Sequence, residues 1–171
     1  MNVILLGYRG SGKTSVGRAL AARLGYAFVD TDDAVRERFG GREIADVWAT
    51  EGEPAFRAME VAVTKVLLQR DGVVIALGGG TVMQHEARAA VEAADACRVY
   101  LKCEVAELAR RLGADAATAA ARPSLTGSAS SIDEIAAVLA EREPTYRAVA
   151  DEVIDVTGRS VAEIVARLSG G

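Results

Sequence analysis

A glycine-rich segment near the N-terminus contains the residues needed to bind phosphate groups. Residues 7–14 are Gly-Tyr-Arg-Gly-Ser-Gly-Lys-Thr, which fits the pattern G-x-x-x-x-G-K-[ST] between an apolar run and a segment with leucines at helical spacing. The glycines allow backbone N–H groups to turn toward phosphate oxygens, and the N-terminus of a helix adds positive potential. Lys13 could bind the β- and γ-phosphates, and the Thr14 hydroxyl could bind Mg²⁺. An ordinary strand–helix turn is the alternative, but pattern and context together predict a nucleoside triphosphate site.

Two carboxylates follow the second predicted strand. Asp30 and Asp32 are two residues apart, so an extended chain would place both on one side of the sheet, at the carboxyl edge where open α/β folds bind ligands. One could complete the Mg²⁺ shell, and the other could accept a proton from an attacking hydroxyl. The alternative is that Asp32 and Asp33 only cap a helix predicted over residues 34–39.

Glycines and arginines further along the chain could bind the molecule that accepts the phosphate. Residues 78–80 are three glycines at the end of the third predicted strand, where they would let a ligand approach the backbone. Arg57 and Glu60 are three apart on a predicted helix, so the acid could hold the guanidinium, although in most proteins this spacing by itself gives a solvent-exposed pair. Arg122 could neutralise charge on the transferred group. Taken singly, Arg122 and Arg142 could also be surface residues.

The order of the predicted elements indicates a single α/β domain over residues 1–171. Apolar runs rich in Val, Ile and Leu alternate with helical segments, which is typical of a parallel sheet with helices on both faces. A first helix is predicted over Lys13–Leu24. Residues 113–131 are rich in Ala, Ser, Thr and Gly, which indicates a disordered loop or a mobile lid, and the Arg122-Pro123 pair favours the lid. The predicted strands are Asn2–Leu6, Ala27–Asp30, Val73–Leu77, Arg98–Lys102 and Glu152–Val156.

Composition and charge exclude several classes of protein. The formal net charge of −4 argues against a broad nucleic-acid-binding face. No apolar stretch approaches the roughly 20 residues that span a bilayer, and the N-terminal segment lacks the cleavage site of a signal peptide. Cys97 and Cys103 fit buried thiols in a reducing compartment, and His85 is expected at the surface near a helix start. We therefore expect a cytoplasmic protein, with nothing that demands more than a monomer.

Seven sequence elements, taken in order, make the chain resemble the shikimate kinase family over nearly its whole length. The resemblance implies a three-layer P-loop fold with a five-stranded parallel sheet in the order 2-3-1-4-5 and a mobile lid. It implies transfer of the γ-phosphoryl group of ATP, with Mg²⁺ as cofactor, to the 3-hydroxyl of shikimate, in chorismate and aromatic amino acid biosynthesis. The seven elements are residues 7–14, Asp30-Thr-Asp32, Ile44-Ala-Asp46, Gly52-Glu53 with Phe56-Arg57, residues 78–80, Arg122-Pro123, and Arg142 with Pro144 and Tyr146.

The resemblance also implies a role for each matching residue. The implied catalytic residues are Lys13, Asp32, which would deprotonate the acceptor hydroxyl, and Arg122, the lid arginine. Shikimate would be bound by Asp32, Arg57, Gly79, Gly80 and Arg142, largely within a substrate-binding segment at about residues 31–61 that includes Trp48 and Phe56 as an aromatic wall. ATP would be bound by Gly10, Ser11, Gly12, Lys13, Thr14, Ser15, Arg110, Arg122 and Arg159, with Arg110 stacked on adenine. Mg²⁺ would be bound by Thr14 and Asp30.

Two other functions compete with this one. A kinase for another polyol acid such as gluconate would share the phosphate-binding loop, but the combination of Asp32, Arg57 and Arg142 counts against it. A nucleotide-binding module without catalysis would be expected to lose Lys13, Asp32 or Arg122, and all three are present.

Overall fold

The protein was analysed as a computed structural model that describes residues 1–114 and 132–170. Within these ranges, strands and helices alternate along most of the chain, as the apolar periodicity predicts. A short 3₁₀ turn at Thr81–Met83 follows the third strand. The strands are β1 Asn2–Leu6, β2 Ala27–Asp30, β3 Val73–Ala76, β4 Ala96–Lys102 and β5 Glu152–Asp155. The helices are α1 Lys13–Leu24, α2 Thr31–Arg38, α3 Ile44–Glu51, α4 Glu53–Leu67, α5 His85–Ala93, α6 Val105–Ala114, α7 Ile132–Val149 and α8 Val161–Ser169.

The five strands form one parallel sheet in the order β2-β3-β1-β4-β5, which confirms the order implied by the resemblance. The central strand β1 pairs with β3 on one side, where Ile4 lies opposite Ile75, and with β4 on the other. All four residues of β3 are buried, because helices cover both faces of a parallel sheet. The carboxyl ends of β1, β2 and β3 therefore meet at one edge, where the predicted ligand-binding residues follow.

Helix α1 has the bounds that the sequence predicts, and glycines determine both of its ends. Gly12 precedes it with a φ of 96°, and Gly25 follows it with a φ of 70° and donates its backbone N–H to Ala21. Only glycine adopts these left-handed conformations without steric cost. The helix packs against β3 and α8, so its N-terminus is fixed at the carboxyl edge of the sheet.

Helix α2 begins at Thr31, three residues earlier than predicted, so the idea that Asp30 and Asp32 extend from one strand is wrong. Asp30 ends β2 and caps the helix, because its Oδ1 atom accepts the backbone N–H of Asp32 at 2.9 Å. Asp32 lies in the first turn of the helix. The capping residue is therefore Asp30, and not Asp32 or Asp33 as the alternative supposed.

Helix α7 continues through Pro144 to Val149, so Arg142 lies inside this helix, two residues before the proline. A proline removes a single backbone donor, and packing of the rest of the helix tolerates that loss. Residues 113 and 114 end α6, and the remainder of the predicted lid, including Arg122, lies outside the described residues.

Three smaller predictions concern the histidine, the two cysteines and membrane-spanning segments. His85 is exposed at the first position of α5, as predicted. Cys103 is buried as predicted, whereas Cys97 is only partly buried. The described helices include none that is both long and apolar enough to cross a membrane.

Candidate active site

The glycine-rich segment forms a tight loop between β1 and α1. Gly10 and Gly12 have φ values of 81° and 96°, which a residue with a side chain would adopt only with strain. Lys13 folds back over this loop, and its Nζ atom donates to the carbonyl oxygens of Gly7 at 2.6 Å and Tyr8 at 3.0 Å. The lysine charge is therefore held at the position where phosphate oxygens would enter.

A cavity of about 500 Å³ opens beside this loop, a size within the range of small-molecule sites. Its walls come from the loop, from the carboxyl ends of β2 and β3, and from α6 and α8. Most of the predicted ATP-binding residues meet here. The lining includes Gly10, Ser11, Gly12, Lys13, Thr14, Ser15, Asp30, Asp32, Gly78, Gly79, Arg111, Arg159 and Val161.

Thr14 and Asp30 form the oxygen pair that the sequence predicts for Mg²⁺. The Thr14 hydroxyl donates to Asp30 Oδ2 at 2.8 Å, so the two side chains already lie side by side at the edge of the nucleotide cavity. Mg²⁺ in phosphoryl-transfer sites takes one or two protein oxygens and fills its remaining positions with water and phosphate. A pair of oxygen ligands of this kind is compatible with that coordination, and the described residues contain no group of three or more acidic, His or Cys side chains that could hold a metal ion.

The structure places Arg111, and not Arg110, at the nucleotide cavity. Arg111 Nη1 donates to the Gly10 carbonyl at 3.2 Å, and its Nε atom bonds to Glu107 at 2.9 Å. The Arg110 side chain is 68% exposed and also bonds to Glu107. Hydrogen bonds from Arg110 and then Arg111 lower the pKa of Glu107 to about 2. The adenine-stacking role predicted for Arg110 is therefore better suited to its neighbour.

A second, smaller cavity lies on the other side of Asp32, and it collects the residues predicted to bind the acceptor. Its polar walls come from α2, α4, α7 and the loop after β3, and its apolar wall from α3 and α4. The Trp48 and Phe56 rings are 6.0 Å apart between centroids and form the predicted aromatic wall. The lining residues are Arg9, Asp32, Ile44, Trp48, Phe56, Arg57, Glu60, Gly78, Gly79, Gly80 and Arg142.

Arg57 is held in this cavity by a buried acid. Its Nη1 atom lies 3.0 Å from Glu60 Oε1, and only 1% of the Glu60 side chain is exposed, which rules out the solvent-exposed pair. Burial raises the pKa of Glu60, and the charge of Arg57 opposes that shift. The Arg57 guanidinium also lies 5.6 Å from the Trp48 ring and 5.4 Å from the Phe56 ring. It is therefore fixed on three sides before any ligand binds.

The three glycines after β3 leave room for side chains of the protein itself. A Cβ atom on Gly80 would lie 2.6 Å from Arg57 Nη1, and one on Gly79 would lie 3.2 Å from Arg142 Nη1. On Gly78 it would lie 2.8 Å from Asp32 Oδ1. The sequence predicted that a ligand approaches the backbone of these glycines. In the structure, polar side chains of the acceptor cavity lie close to the same backbone.

Tyr146 links the glycine loop to Arg142, and sequence reasoning gave it no role. Its hydroxyl donates to the carbonyl oxygen of Gly79. Burial raises the pKa of Tyr146 to about 12, and the charge of Arg142, together with a hydrogen bond between the two side chains, opposes the shift. The ring packs 5.1 Å from that of Tyr100. The hydroxyl therefore remains protonated at neutral pH, and its hydrogen bonds hold the glycine loop and Arg142 in fixed positions relative to each other.

A model of the family described as shikimate kinase matches residues 9–169 of this chain. A curated shikimate kinase from Rhodopirellula baltica is 42% identical over 164 residues, which cover 96% of this chain and 86% of the relative. The chain belongs to the shikimate kinase family. As a member of this family it is an ATP-dependent kinase, in agreement with the two cavities that meet at Asp32.

Solved structures of shikimate kinases have the same fold. The shikimate kinase of Acinetobacter baumannii, solved in complex with shikimate, superposes with a TM-score of 0.88 at 32% identity and covers 98% of this chain and 89% of its own. A gluconokinase from Sinorhizobium meliloti superposes less well, with a TM-score of 0.56 at 23% identity over 99% of this chain and 93% of its own, and shares the fold alone.

Proposed function

We propose that this member of the shikimate kinase family transfers the γ-phosphoryl group of ATP to the 3-hydroxyl of shikimate, giving shikimate 3-phosphate and ADP. The observation that carries the proposal is the position of Asp32, which lines both the nucleotide cavity and the acceptor cavity. A carboxylate at that boundary can accept the proton of a hydroxyl that attacks a phosphate from the other side.

The acceptor cavity suits a small ring that carries a carboxylate and hydroxyl groups. The guanidinium groups of Arg57 and Arg142 can bind the carboxylate, since planar guanidinium groups match its geometry. Trp48 and Phe56 can pack against a ring face. Asp32 then accepts a hydrogen bond from the reacting hydroxyl and removes its proton as the new ester bond forms.

The nucleotide cavity holds the donor and stabilises its charge. In this proposal Lys13 exchanges its bonds with the loop carbonyls for bonds to phosphate oxygens, and the backbone N–H groups of the loop bind the others. Thr14 and Asp30 would hold Mg²⁺, which when bound neutralises charge on the β- and γ-phosphates. Arg111 and Arg159 line the part of the cavity beyond the loop. The role predicted for Arg122 rests on the sequence alone.

Several properties belong to the proposal as expectations from the sequence. They are a single domain over residues 1–171, a substrate-binding segment at about residues 31–61, a monomeric state and a cytoplasmic location in the route to chorismate and aromatic amino acids. Six residues of that segment line the acceptor cavity, which supports its proposed role: Asp32, Ile44, Trp48, Phe56, Arg57 and Glu60.

Coupled measurement of ADP release with shikimate, with gluconate and with no acceptor tests the substrate. We expect release to depend on shikimate, because two arginines and a carboxylate converge on one small cavity. Equal turnover with gluconate would contradict the proposed substrate, and equal release without any acceptor would show an ATPase rather than a kinase.

Neighbouring aspartates provide a matched test of the proton acceptor. Asp32→Asn should lower kcat by about 10²-fold or more, in the range seen when a general base is lost, with little change in the KM for ATP. Asp33→Asn is the control, because the Asp33 side chain is 56% exposed and its ion pair with Arg36 is long, at 3.6 Å. Similar kcat values for the two variants would remove Asp32 from the proposed mechanism.

A further inference from the structure

Arg9 belongs to the phosphate-binding loop but lies at the acceptor cavity. It occupies one of the unspecified positions of G-x-x-x-x-G-K-[ST], where the pattern requires no particular residue. Lys13 and Gly10 of the same loop line the nucleotide cavity, whereas Arg9 lines the acceptor cavity with Asp32 and Arg142. The loop thus provides a positive group on each side of the path along which the phosphoryl group moves.

The position of Arg9 is defined by its surroundings. The side chain is half-buried and its Nε atom is fully buried, so much of the stem packs against protein. Its guanidinium carbon lies 5.9 Å from the ring centroid of Tyr8, which is itself 1% exposed. The left-handed conformation of Gly10 fixes the backbone directly after it.

Arg9 gives the acceptor cavity a net positive formal charge. Arg9, Arg57 and Arg142 give three positive groups against the two carboxylates of Asp32 and Glu60, a formal charge of +1. Without Arg9 the count would be two against two. An acceptor with one carboxylate carries a single negative charge, but after transfer it also carries a phosphate with a charge of about −1.5 to −2. The cavity must therefore hold a more anionic ligand after the reaction than before it.

We propose that Arg9 forms an anion subsite for the phosphoryl group once it has been transferred, so that the acceptor cavity binds the phosphate ester of a cyclic hydroxy acid more tightly than the unphosphorylated acid. This inference rests on the proposed function for the identity of the acceptor. Arg57 and Arg142 bind the carboxylate that both ligands share, whereas Arg9, at the border with the nucleotide cavity, binds the group that only the product has. Arg9 thereby sets product affinity and product inhibition.

Trp48 provides a direct binding signal, because it is the only tryptophan of the chain and lines the same cavity. We would titrate the full chain, without nucleotide, with shikimate and separately with shikimate 3-phosphate. In Arg9→Met we expect the Kd for shikimate 3-phosphate to rise about 10-fold, which corresponds to about 1.4 kcal/mol, and the Kd for shikimate to change less than about 2-fold. Arg9→Lys should restore part of the affinity, since it keeps the charge but not the planar fork.

The control is Arg88→Met, which removes an arginine bonded to Glu92 on α5, outside both cavities. It should bind both ligands as the wild type does. If Arg9→Met loses the same factor for both ligands, or loses affinity for neither, the subsite is refuted while the kinase assignment stands. If the wild type shows the Arg9-dependent preference for the phosphorylated ligand but does not phosphorylate shikimate, the proposed function is refuted and the anion subsite stands.

Discussion

Removal of the Arg57 guanidinium should weaken stability and acceptor binding through two causes that can be measured separately. Arg57→Met keeps an apolar stem but deprives Glu60, 1% exposed, of the cation 3.0 Å away. Loss of one partner from a buried ion pair typically costs about 3–5 kcal/mol. The Arg57 side chain retains 14% exposure, so the lower value applies. For a chain of this length we expect the Tm to fall by roughly 6–12 °C.

The loss should depend on pH, and its direction follows from the pKa of Glu60. Burial raises this pKa and Arg57 opposes the rise, so removal of the arginine should raise it further. A carboxyl group whose pKa is higher in the folded than in the unfolded state contributes stability that is present below the unfolded pKa. That stability is lost as pH rises through the folded pKa. The Tm difference between Arg57→Met and wild type should therefore be larger near pH 8 than near pH 5.

A double variant separates the two effects. Arg57→Met/Glu60→Gln also removes the buried charge, so it should regain most of the lost Tm and lose the extra pH dependence. It should not regain binding, because the shikimate KM depends on the absent guanidinium and stays raised by about 10-fold or more. Thermal unfolding across pH and the coupled ADP assay measure these quantities.

An exposed ion pair gives the control for this experiment. Arg88→Met/Glu92→Gln removes a surface pair on α5 and should change stability by less than about 0.5 kcal/mol. The reasoning is refuted if Arg57→Met and its double variant unfold at the same temperature, or if the Tm loss of Arg57→Met is no greater at high pH.

Three further predictions use single substitutions. Arg111→Met should raise the KM for ATP several-fold, whereas Arg110→Met, at an exposed site, should leave it near the wild-type value; the reverse order would restore the sequence-based assignment. Tyr146→Phe removes the hydrogen bond to the glycine loop and should raise the KM for shikimate more than it lowers kcat, as measured by the coupled assay. Gly80→Ala should weaken shikimate binding in the Trp48 titration, because its Cβ atom displaces the guanidinium 2.6 Å away, while ATP binding stays unchanged.

Much of the fold could be predicted because apolar periodicity and glycines encode it directly. The bounds of β1, β2 and α1 match, since each is limited by a glycine or by a change from apolar to polar residues. The start of α2 was predicted too late because the residues after Val29 are compatible both with a longer strand and with a helix that begins at once after a capping residue. Periodicity does not show that Asp30 turns to accept the N–H of Asp32. The two carboxylates still lie at the predicted edge, but a helix cap brings them there.

The candidate site was harder to predict wherever one position along a helix matters. Arg110 and Arg111 are adjacent and of the same type, yet a step of one residue turns a helical side chain by about 100°. One therefore points to solvent and the other reaches the Gly10 carbonyl. No local spacing distinguishes them, because the choice depends on how α6 packs against the loop. The same limit applies to Arg9, whose position in the loop pattern accepts any residue.

The three glycines after β3 show how packing rather than flexibility prepares the acceptor cavity. Gly80 has a φ of −99°, which any residue can adopt, so its lack of a side chain is required by space. That space is filled by the Arg57 guanidinium, which Glu60 holds from behind. Because the cations and the carboxylates are fixed before the ligand arrives, less ordering free energy is lost on binding. The loop of three glycines is therefore a rigid part of the site, because side chains of the protein pack against its backbone.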